Sequence, residues 1–538
     1  MMITMSSDIP ALILRKGATR RKDALHNSIM AAKIIAEVLK SSLGPRGMDK
    51  MLIDNIGDVR ITNDGASILD WMYVEHPAAK ILVDIAKTQD KNVGDGTKTV
   101  VVFAGELLSL AEELISSKIH PMLIIKGYRK AAEKSLQILN EIAEGIDINQ
   151  IEILKDIAMT SLRSKSLSGY REQLANIAVE AVRLIAEKKG DERIIDLDKV
   201  IVVKKRGMGA VDTKLVYGII LEKEVLYPSM PRRIKNCKIA LLNCMLKPIK
   251  PKRETEIAVR TPEEMKAHLD GITEIAKQIA DKIIASGANV VVCTKLIDEL
   301  VGSTLAKAGI LAVDRVSQLN LKLVATASGG RILNDLDDLQ MKSLGYAKLV
   351  EERKIGEDKL IFIENCKNLN CLSILIRGGT KYVIEEEDSI LHDAMSVVAD
   401  VMKNGKIVAG GGAIEMEIAR RIKDYAKSVG GREQFAITAF AKAIEIIPKT
   451  LSENAGLDSI NILARLRACH EEPDKKWFGI DVFDGKVKNM MELGVLESLN
   501  VKAYSIKSAV EAAEAILRID EFITAGKKET EKAKNKQL

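Results

Sequence analysis

Aromatic residues are scarce in this chain: 7 Phe, 9 Tyr and 2 Trp make up only 3 % of its 538 residues. Proteins that bind single-stranded nucleic acid commonly stack bases on aromatic side chains, so this scarcity argues against that class. A large excess of basic charge is also missing, because 81 Lys and Arg residues face 75 Asp and Glu residues, for a net charge of +6. We therefore expect no nucleic-acid partner.

Cysteines are few as well. The six are scattered along the chain, without a Cys-X-X-Cys pair and without the Cys/His spacing of a metal site. Cys366 and Cys371 are close enough in sequence to raise the question of a disulfide or a metal, but no second ligand pair accompanies them. We predict reduced thiols that pack in the protein core.

Long apolar stretches are missing too. Runs such as residues 100–104 are interrupted by charges well short of the roughly 18 residues that a membrane helix needs. The first residues lack the basic-then-apolar pattern of a signal peptide. We therefore expect a soluble, cytoplasmic protein with no membrane partner. Hydrophobic residues, at 47 %, suffice for several cores, and the chain length favours about three domains.

Helical periodicity dominates both ends of the chain, whereas the middle is rich in β-type runs. Near the start, residues 51–53 and 59–61 predict a hairpin. The helices predicted at the two ends cover residues 23–43, 79–88, 97–114, 413–428, 432–451 and 459–468. In the middle, an amphipathic helix is predicted at 263–284 and strands at 201–203, 217–221, 239–242, 290–293 and 321–325. The simplest interpretation is one domain built from both ends, with a discontinuous middle domain and a continuous inserted one.

The most informative motif is Gly-Asp-Gly-Thr-Lys-Thr at residues 94–99, at the start of a predicted helix. Its glycines let neighbouring backbone N–H groups converge on an anion, and the helix start adds positive potential, so a phosphate would be well held. Asp95 would repel a phosphate directly but suits a Mg²⁺ ion between the two. A glycine turn with a hydroxyl cap is the plainer alternative. The motif is not a Walker A loop, which ends in Gly-Lys-Ser/Thr.

This motif and several weaker ones follow a specific order along the chain. They are LGPRGMDKML (43–52), TNDG (62–65), GDGTKTVVV (94–102), ILHDAM (390–395), VAGGGAIE (408–415) and ELGVLES (492–498). Each turn motif alone is ordinarily just a turn. In this order and at these separations, the sequence resembles the group II chaperonins, and archaeal thermosome subunits are its most similar members. The resemblance extends over nearly the whole chain, through AAEAILRID at 512–520.

The resemblance implies a multidomain fold of α and α/β type. A mostly helical equatorial ATPase domain would combine residues 1–150 with 405–525, and a polar tail would follow at 526–538. A small α/β intermediate domain would combine residues 151–218 with 370–404. The α/β apical domain, which binds substrate, would cover residues 219–369 and carry a helical lid protrusion near 247–280.

The resemblance also implies a nucleotide site that takes ATP or ADP together with Mg²⁺. In that site Asp95 would ligate Mg²⁺, Glu497 would accept hydrogen bonds from the ribose, and Lys165 would sense the terminal phosphate. The full set of residues that would contact the nucleotide is Gly44, Pro45, Gly94, Gly96, Thr97, Lys98, Thr99, Lys165, Gly411, Gly412 and Glu497.

Two carboxylates would carry the chemistry of this site. Asp64 and Asp393 would flank the attacking water, with Asp393 supplied by the intermediate domain. A carboxylate in that position can orient or deprotonate the water for in-line attack on the γ-phosphoryl group. Without the family context, Asp393 would be interpreted as a solvated acid on a helix face.

The chain departs from the family pattern in four places. Ser498 stands where relatives generally have proline, Arg163 and Ser164 alter the loop before the phosphate-sensing lysine, and the tail lacks Gly-Met repeats. Lys98 stands where relatives have a hydroxyl residue. If its ammonium reached the phosphates, it would strengthen ATP binding as a point charge. If it were held outward or crowded the phosphates, it would not. We expect Lys98 to be held outward or to crowd the phosphates.

These features predict an ATP-dependent protein-folding chaperonin subunit. Its partners would be sister subunits in a homo- or hetero-oligomeric double ring and unfolded client proteins, and ATP hydrolysis would drive lid closure around the client. The alternative is a subunit that hydrolyses ATP weakly and serves mainly to build the ring. An ordinary α/β kinase or dehydrogenase is disfavoured, because neither Walker A nor Gly-X-Gly-X-X-Gly occurs between a strand and a helix.

Overall fold

The computed structural model of the chain describes residues 21–54, 56–163, 169–190, 192–248, 261–368 and 371–521. It divides into two compact units: unit 1 is Met1–Gly145 with Lys406–Leu538, and unit 2 is Ile146–Gly405. Unit 1 is therefore built from both ends of the chain. The predicted class, multidomain with α and α/β parts, is confirmed. The finer division into equatorial, intermediate and apical domains stays a prediction.

Helices form most of the first part of unit 1. They are α1 (Arg21–Lys40), α2 (Gly65–Trp71), α3 (Pro77–Val93), α4 (Thr97–Ser116) and α5 (Pro121–Ile142), with strands β1 (Lys50–Ile53), β2 (Val59–Thr62) and β3 (Glu144–Gly145). α3 and α5 each begin with a proline, whose missing N–H is no loss in the first helical turn. β1 and β2 pair antiparallel, so the predicted hairpin is confirmed.

Unit 2 holds most of the β-structure. Its helices are α6 (Ile151–Arg163), α7 (Arg171–Ile185), α8 (Pro262–Ala285), α9 (Glu299–Lys307), α10 (Gln318–Ser328) and α11 (Lys381–Asn404). Its strands are β4 (Glu187–Lys189), β5 (Glu192–Ile194), β6 (Val200–Arg206), β7 (Lys214–Val216), β8 (Gly218–Leu221), β9 (Arg233–Leu242), β10 (Val290–Cys293), β11 (Leu311–Val313), β12 (Ile332–Leu333), β13 (Gly345–Ile355), β14 (Asp358–Cys366) and β15 (Leu372–Gly378).

The largest sheet of unit 2 follows the order β11-β10-β9-β13-β14-β8, and β12 also pairs with β9. Its β9 to β12 portion is parallel, whereas β13 pairs antiparallel with both β9 and β14. Apolar side chains are buried on both faces of this sheet. Strands buried on both faces appear in the sequence as continuous apolar runs, which is how 239–242 and 290–293 were recognisable. A smaller sheet has the order β6-β15-β7.

One predicted strand of unit 2 is wrong. Residues 321–325 belong to α10, which begins after Ser317, whose side chain accepts a hydrogen bond from the Asn320 N–H, and ends at Gly329 in the left-handed region. Leu321 and Val324 are buried three residues apart, as helical spacing requires. A short apolar run cannot by itself separate a buried strand from a buried helix. The helix predicted at 263–284 is confirmed as α8.

The remainder of unit 1 is again mainly helical. It contains β16 (Lys406–Ala409), α12 (Ala413–Ser428), α13 (Glu433–Ile444), α14 (Ile446–Asn454), α15 (Ser459–His470), β17 (Phe478–Asp481), β18 (Lys486–Asn489), β19 (Leu496–Ser498) and α16 (Leu499–Leu517). The single helix predicted at 432–451 is two helices, because Pro448 lacks the N–H that a continuous helix would bond to the Ile444 carbonyl. β16 pairs with β3 on one side and β19 on the other, so it joins the two ends of the chain.

The core of unit 1 forms around α4, which is buried along most of its length. Its Phe103 meets Phe440 of α13 edge-on, with ring centroids 5.4 Å apart. The Tyr128 hydroxyl of α5 donates to the Leu107 carbonyl at 2.8 Å, so the buried phenol is satisfied. Among the described residues, no helix is long and apolar enough to cross a membrane.

The six cysteines are free thiols. Cys237, Cys366 and Cys371 belong to one apolar core of the large sheet, where Ala347 of β13 pairs with both Cys237 and Cys366. Burial raises the pKa of Cys237 to about 11 and that of Cys366 to about 12. These thiols therefore stay protonated and act as small apolar side chains.

Candidate functional site

The loop between α3 and α4 carries the Gly-Asp-Gly motif. Gly94 and Gly96 have φ angles of 73° and 83°, in the left-handed region that glycine adopts without strain. A Cβ on Gly96 would lie 2.9 Å from the Ser505 Oγ and 3.1 Å from the Gln89 Nε2, so no larger residue fits. Gly96 precedes α4 and has no side chain that could cap the helix.

Asp95 lies between these glycines and is held at two atoms. Its Oδ1 accepts from the Gly96 N–H at 2.6 Å, and its carbonyl accepts from the Gln89 Nε2 at 2.9 Å. In the described part of the chain, no three His, Cys, Asp or Glu side chains come together to hold a metal. A lone carboxylate beside uncapped amides fits Mg²⁺, which often takes only one or two protein carboxylates and completes its shell with phosphate oxygens and water.

Asp64 begins α2. Its Oδ2 accepts from the Ser67 N–H at 2.9 Å, and the residue is buried. The next residue, Gly65, packs on the first turn of α4: a Cβ there would lie 2.7 Å from the Lys98 Cγ and 3.5 Å from the Thr97 Cβ. The structure therefore brings Asp64 beside the Gly-Asp-Gly loop.

Lys98 connects three of the predicted segments. Its ammonium donates to the Ser42 carbonyl at 2.8 Å and to the Asn63 Oδ1. Asn63 in turn donates to the Asp49 Oδ1 at 3.1 Å. The Lys98 side chain is almost fully buried. The Ser42 and Asn63 oxygens already accept N–H donors that a contact between the ammonium and a phosphate would need. The expectation that Lys98 does not strengthen phosphate binding stays a prediction.

The turn that contains Gly44 and Pro45 packs against α14. A Cβ on Gly44, whose φ is 80°, would lie 2.3 Å from the Leu451 Cδ2. The Asn454 side chain donates to the carbonyls of Lys40 and Leu43 at 2.9 and 2.8 Å. These contacts fix the turn without any ligand.

The triglycine turn before α12 is shaped by contacts inside the protein. Gly411 and Gly412 have φ angles of 64° and 78°, and a Cβ on them would lie 2.7 Å from the Met490 Sδ and from the Pro448 Cβ, respectively. The positive φ angles, together with packing against Met490 and against Pro448 of α14, therefore favour glycine at both positions. The proposed approach of their backbone to a sugar stays a prediction.

Glu497 belongs to a buried charge cluster. The Lys502 ammonium lies 2.7 Å from the Glu497 Oε2 and 2.7 Å from the Glu415 Oε1. Burial raises the pKa of Glu497, the Lys502 charge opposes this rise, and the charges of Glu415 and Asp95 add to it. Burial alone would lower the pKa of Lys502, but Glu415 and Glu497 together raise it. Lys502 is therefore a charged ammonium shared by two carboxylates.

Ser498, at a position where the resemblance leads us to expect proline, caps α16. Its side chain accepts from the Asn500 N–H at 3.2 Å. The hydroxyl therefore starts the helix by hydrogen bonding, where a proline would do so through its fixed φ.

Two further predicted residues, Asp393 and Lys165, belong to unit 2. Asp393 is buried on α11, in unit 2. Lys165 lies outside the described residues, as does Ser164, and Arg163 ends α6. Within unit 1, the structure brings the predicted residues close to one another.

Sequence reasoning missed four side chains that support the site, namely Gln89, Glu415, Lys502 and Ser505. A signal for two of them existed, because Lys502 and Ser505 interrupt the apolar stripe of α16 at helical spacing. A lysine within such a stripe calls for a buried carboxylate partner. Nothing in the sequence identified Glu415 as that partner.

Comparison with known proteins identifies the family. Residues 35–527 match the TCP-1/cpn60 chaperonin family. The chain is 50 % identical over 531 residues to thermosome subunit beta of Sulfurisphaera tokodaii, covering 98 % of this chain and 96 % of that protein. It is 49 % identical over 525 residues to thermosome subunit alpha of Archaeoglobus fulgidus, covering 97 % and 96 %. The chain belongs to the TCP-1/cpn60 chaperonin family, and the resemblance to group II chaperonins is confirmed.

Proposed function

We propose that the chain is a protein-folding chaperonin subunit that binds ATP with Mg²⁺ in unit 1 and hydrolyses it. The observation that carries the proposal is the convergence of three segments on the first turn of α4. The loop from Gly94 to Gly96 leads into it, Gly65 packs on it, and Lys98 ties it to the turn after α1. The family resemblance assigns all three segments to the nucleotide.

The phosphates would bind at this helix start. The amides of Thr97, Lys98 and Thr99 point out of the first turn of α4, where the positive end of the helix favours an anion. The hydroxyls of Thr97 and Thr99 supply further donors. Mg²⁺ bound between Asp95 and the phosphates would neutralise charge on the transferred phosphoryl group.

Asp64 is proposed to orient the attacking water. One carboxylate oxygen is fixed by the Ser67 N–H, so the direction of the carboxylate is set before any ligand binds. Such a carboxylate accepts a proton or a hydrogen bond from the water. The role proposed for Asp393 at the same water rests on the resemblance alone. Asp393 belongs to unit 2.

Assembly and client binding follow from the family. The named relatives are thermosome subunits, and we propose that this chain likewise joins sister chaperonin subunits in a double ring that encloses unfolded proteins. The proposed lid protrusion near 247–280 includes the first part of α8, while residues 249–260 lie outside the described part.

Phosphate release and ADP binding by the purified chain test the proposal. We expect Mg²⁺-dependent release, and we expect Asp95→Asn to weaken nucleotide binding in Mg²⁺ but much less in EDTA. Asp84→Asn, an exposed acid of α3, is the matched control and should behave as the parent. Binding without phosphate release would favour the weakly hydrolysing ring subunit, and the absence of any ADP binding would refute the nucleotide site.

A further inference from the structure

We infer that Lys502, anchored by Glu415, is a positioning residue that holds the Glu497 carboxylate toward the ribose and thereby makes the site prefer ribose over deoxyribose. The inference rests on the proposed function, because the contact between Glu497 and the ribose is part of that proposal. It adds two residues that never touch the nucleotide but decide which sugar is accepted.

The geometry gives the three side chains different tasks. Lys502 and Glu415 have side chains that are 9 % and 5 % exposed, whereas that of Glu497 is 25 % exposed. The Lys502 ammonium uses one donor on the Glu415 Oε1 and another on the Glu497 Oε2. The inner pair is therefore the anchor, and Glu497 is the member that reaches the surface.

The second oxygen of Glu497 faces the triglycine turn. A Cβ on Gly410 would lie 2.7 Å from the Glu497 Oε1, so this oxygen lies directly over the turn that the proposed function assigns to the sugar. Because Lys502 occupies Oε2, the acceptor left for a ribose hydroxyl is Oε1. A carboxylate held by one oxygen has a fixed direction for the other.

The backbone on either side of Glu497 is fixed as well. Glu497 pairs with Val408 in the β16–β19 ladder, and Ser498 caps α16 directly after it. Lys502 follows one helical turn later on α16. The relative positions of the lysine and the carboxylate are therefore set by a strand and a helix, not by a loop.

The charges explain why Lys502 is needed. Without it, Glu415 and Glu497 would face each other as two like charges in a site from which water is largely excluded. Asp95 adds a third negative charge to the field at Glu497. The more exposed carboxylate, Glu497, would then turn toward solvent, and its ribose contact would be lost while the phosphate contacts at α4 remained.

Affinities of the full chain for ADP, 2′-deoxyADP and 3′-deoxyADP, measured by calorimetry, test this inference. In the parent, loss of the hydroxyl that Glu497 accepts from should weaken binding about tenfold, as expected for a hydrogen bond to a charged group. Glu497→Gln and Lys502→Met should each reduce this discrimination to about twofold or less. Lys507→Met, an exposed lysine of the same helix, is the control and should keep the tenfold preference.

A second variant covers the case in which Lys502→Met fails to fold. The double change Lys502→Met with Glu415→Leu removes the buried ammonium together with its buried partner, so no unpaired charge is left inside. It too should lose the preference for ribose. Full discrimination in either variant, or none in the parent, would overturn the inference. Failure of the parent to bind ADP at all would instead overturn the proposed function.

Discussion

Two buried glutamates, one in each unit, receive very different surroundings. Glu417 in unit 1 accepts hydrogen bonds from Arg421 at 2.6 Å and Arg420 at 2.9 Å, and His470 lies 3.0 Å away. Glu387 in unit 2 is fully buried, yet neither of its carboxylate oxygens meets a donor at hydrogen-bonding geometry within the described residues. Both residues are glutamates and are buried to a similar degree, but they differ in their hydrogen-bond partners.

The difference decides which of the two carries a charge. Burial alone would raise the pKa of Glu417, but hydrogen bonds from His470 and the two arginines lower it to about 2. Burial raises the pKa of Glu387 to about 7, although the Thr213 hydroxyl acts in the opposite direction. Partners, more than depth, therefore set the ionisation of a buried carboxylate in this chain.

The largest effect should come from Asp393, the buried carboxylate of unit 2 that the proposed reaction needs. Asp393→Ala should lower phosphate release by about 100-fold or more, the scale of a group that orients or deprotonates water. ADP affinity should not change, because the proposed phosphate contacts belong to unit 1. His392→Ala, at the exposed neighbouring position, is the control. Near-normal turnover in the Asp393 variant would remove it from the reaction.

The same substitution at the two glutamates should change stability in opposite directions. At pH 7, Glu417→Gln should destabilise by about 3 kcal/mol, because it removes the charge that three donors share. At pH 8, Glu387→Gln should stabilise by about 2 kcal/mol, because it removes a buried carboxylate that is costly to ionise. Urea unfolding of both variants and the parent measures these changes in the free energy of unfolding. Destabilisation by both substitutions would contradict the contrast in charge state.

The pH dependence of stability should separate the two residues. The pKa of Glu387 is higher in the folded than in the unfolded chain, where the value is near 4.5, so its contribution is fully present below about pH 4.5 and is lost as the pH rises to about 7. Glu417 behaves oppositely, and its contribution is lost as the pH falls from about 4.5 to 2. Glu387→Gln should flatten the unfolding profile between pH 4.5 and 7 only. An unchanged slope there would refute the raised pKa.

The smallest effect on binding is expected at Lys98, a buried cation of unit 1 whose ammonium already has oxygen partners. Lys98→Met should destabilise by about 2 kcal/mol, since two charge-assisted hydrogen bonds are lost. ADP affinity should change less than about threefold, because Asn454 still holds the Gly44 turn. Lys80→Met, an exposed lysine of α3, is the control. A tenfold loss that is largest at low salt would instead make Lys98 a phosphate ligand.

Local signals explain what could be predicted from the sequence. The β1–β2 hairpin and the loop before α4 are specified by neighbouring residues, because turn residues and glycines with positive φ act within a few positions. The order of motifs supplied the family. Residues 321–325 were assigned wrongly because a short apolar run suits a strand and a buried helix equally, and the deciding signals at Ser317 and Gly329 lie outside the run.

Partnerships over long sequence distances could not be predicted. Lys502 pairs with Glu415, 87 residues away, and Asn454 bonds to the turn more than 400 residues before it. Only the folded chain brings such groups together. The same holds for Glu387, whose carboxylate oxygens meet no donor at hydrogen-bonding geometry among the described residues packed around them.

The ladder formed by β16 with β3 has a further consequence. In unit 1, Gly145 pairs with Lys406, and in unit 2 the Ile146 N–H donates to the Gly405 carbonyl at 2.9 Å. In each unit, the two points at which the chain passes to the other unit are therefore neighbours. The long insertion acts on unit 1 like a closed loop with adjacent ends, whose cost in chain entropy grows only slowly with the number of residues. Unit 1 could accordingly be rejoined by a short turn in place of Ile146–Gly405, and the excised segment could be produced with its natural ends already neighbours.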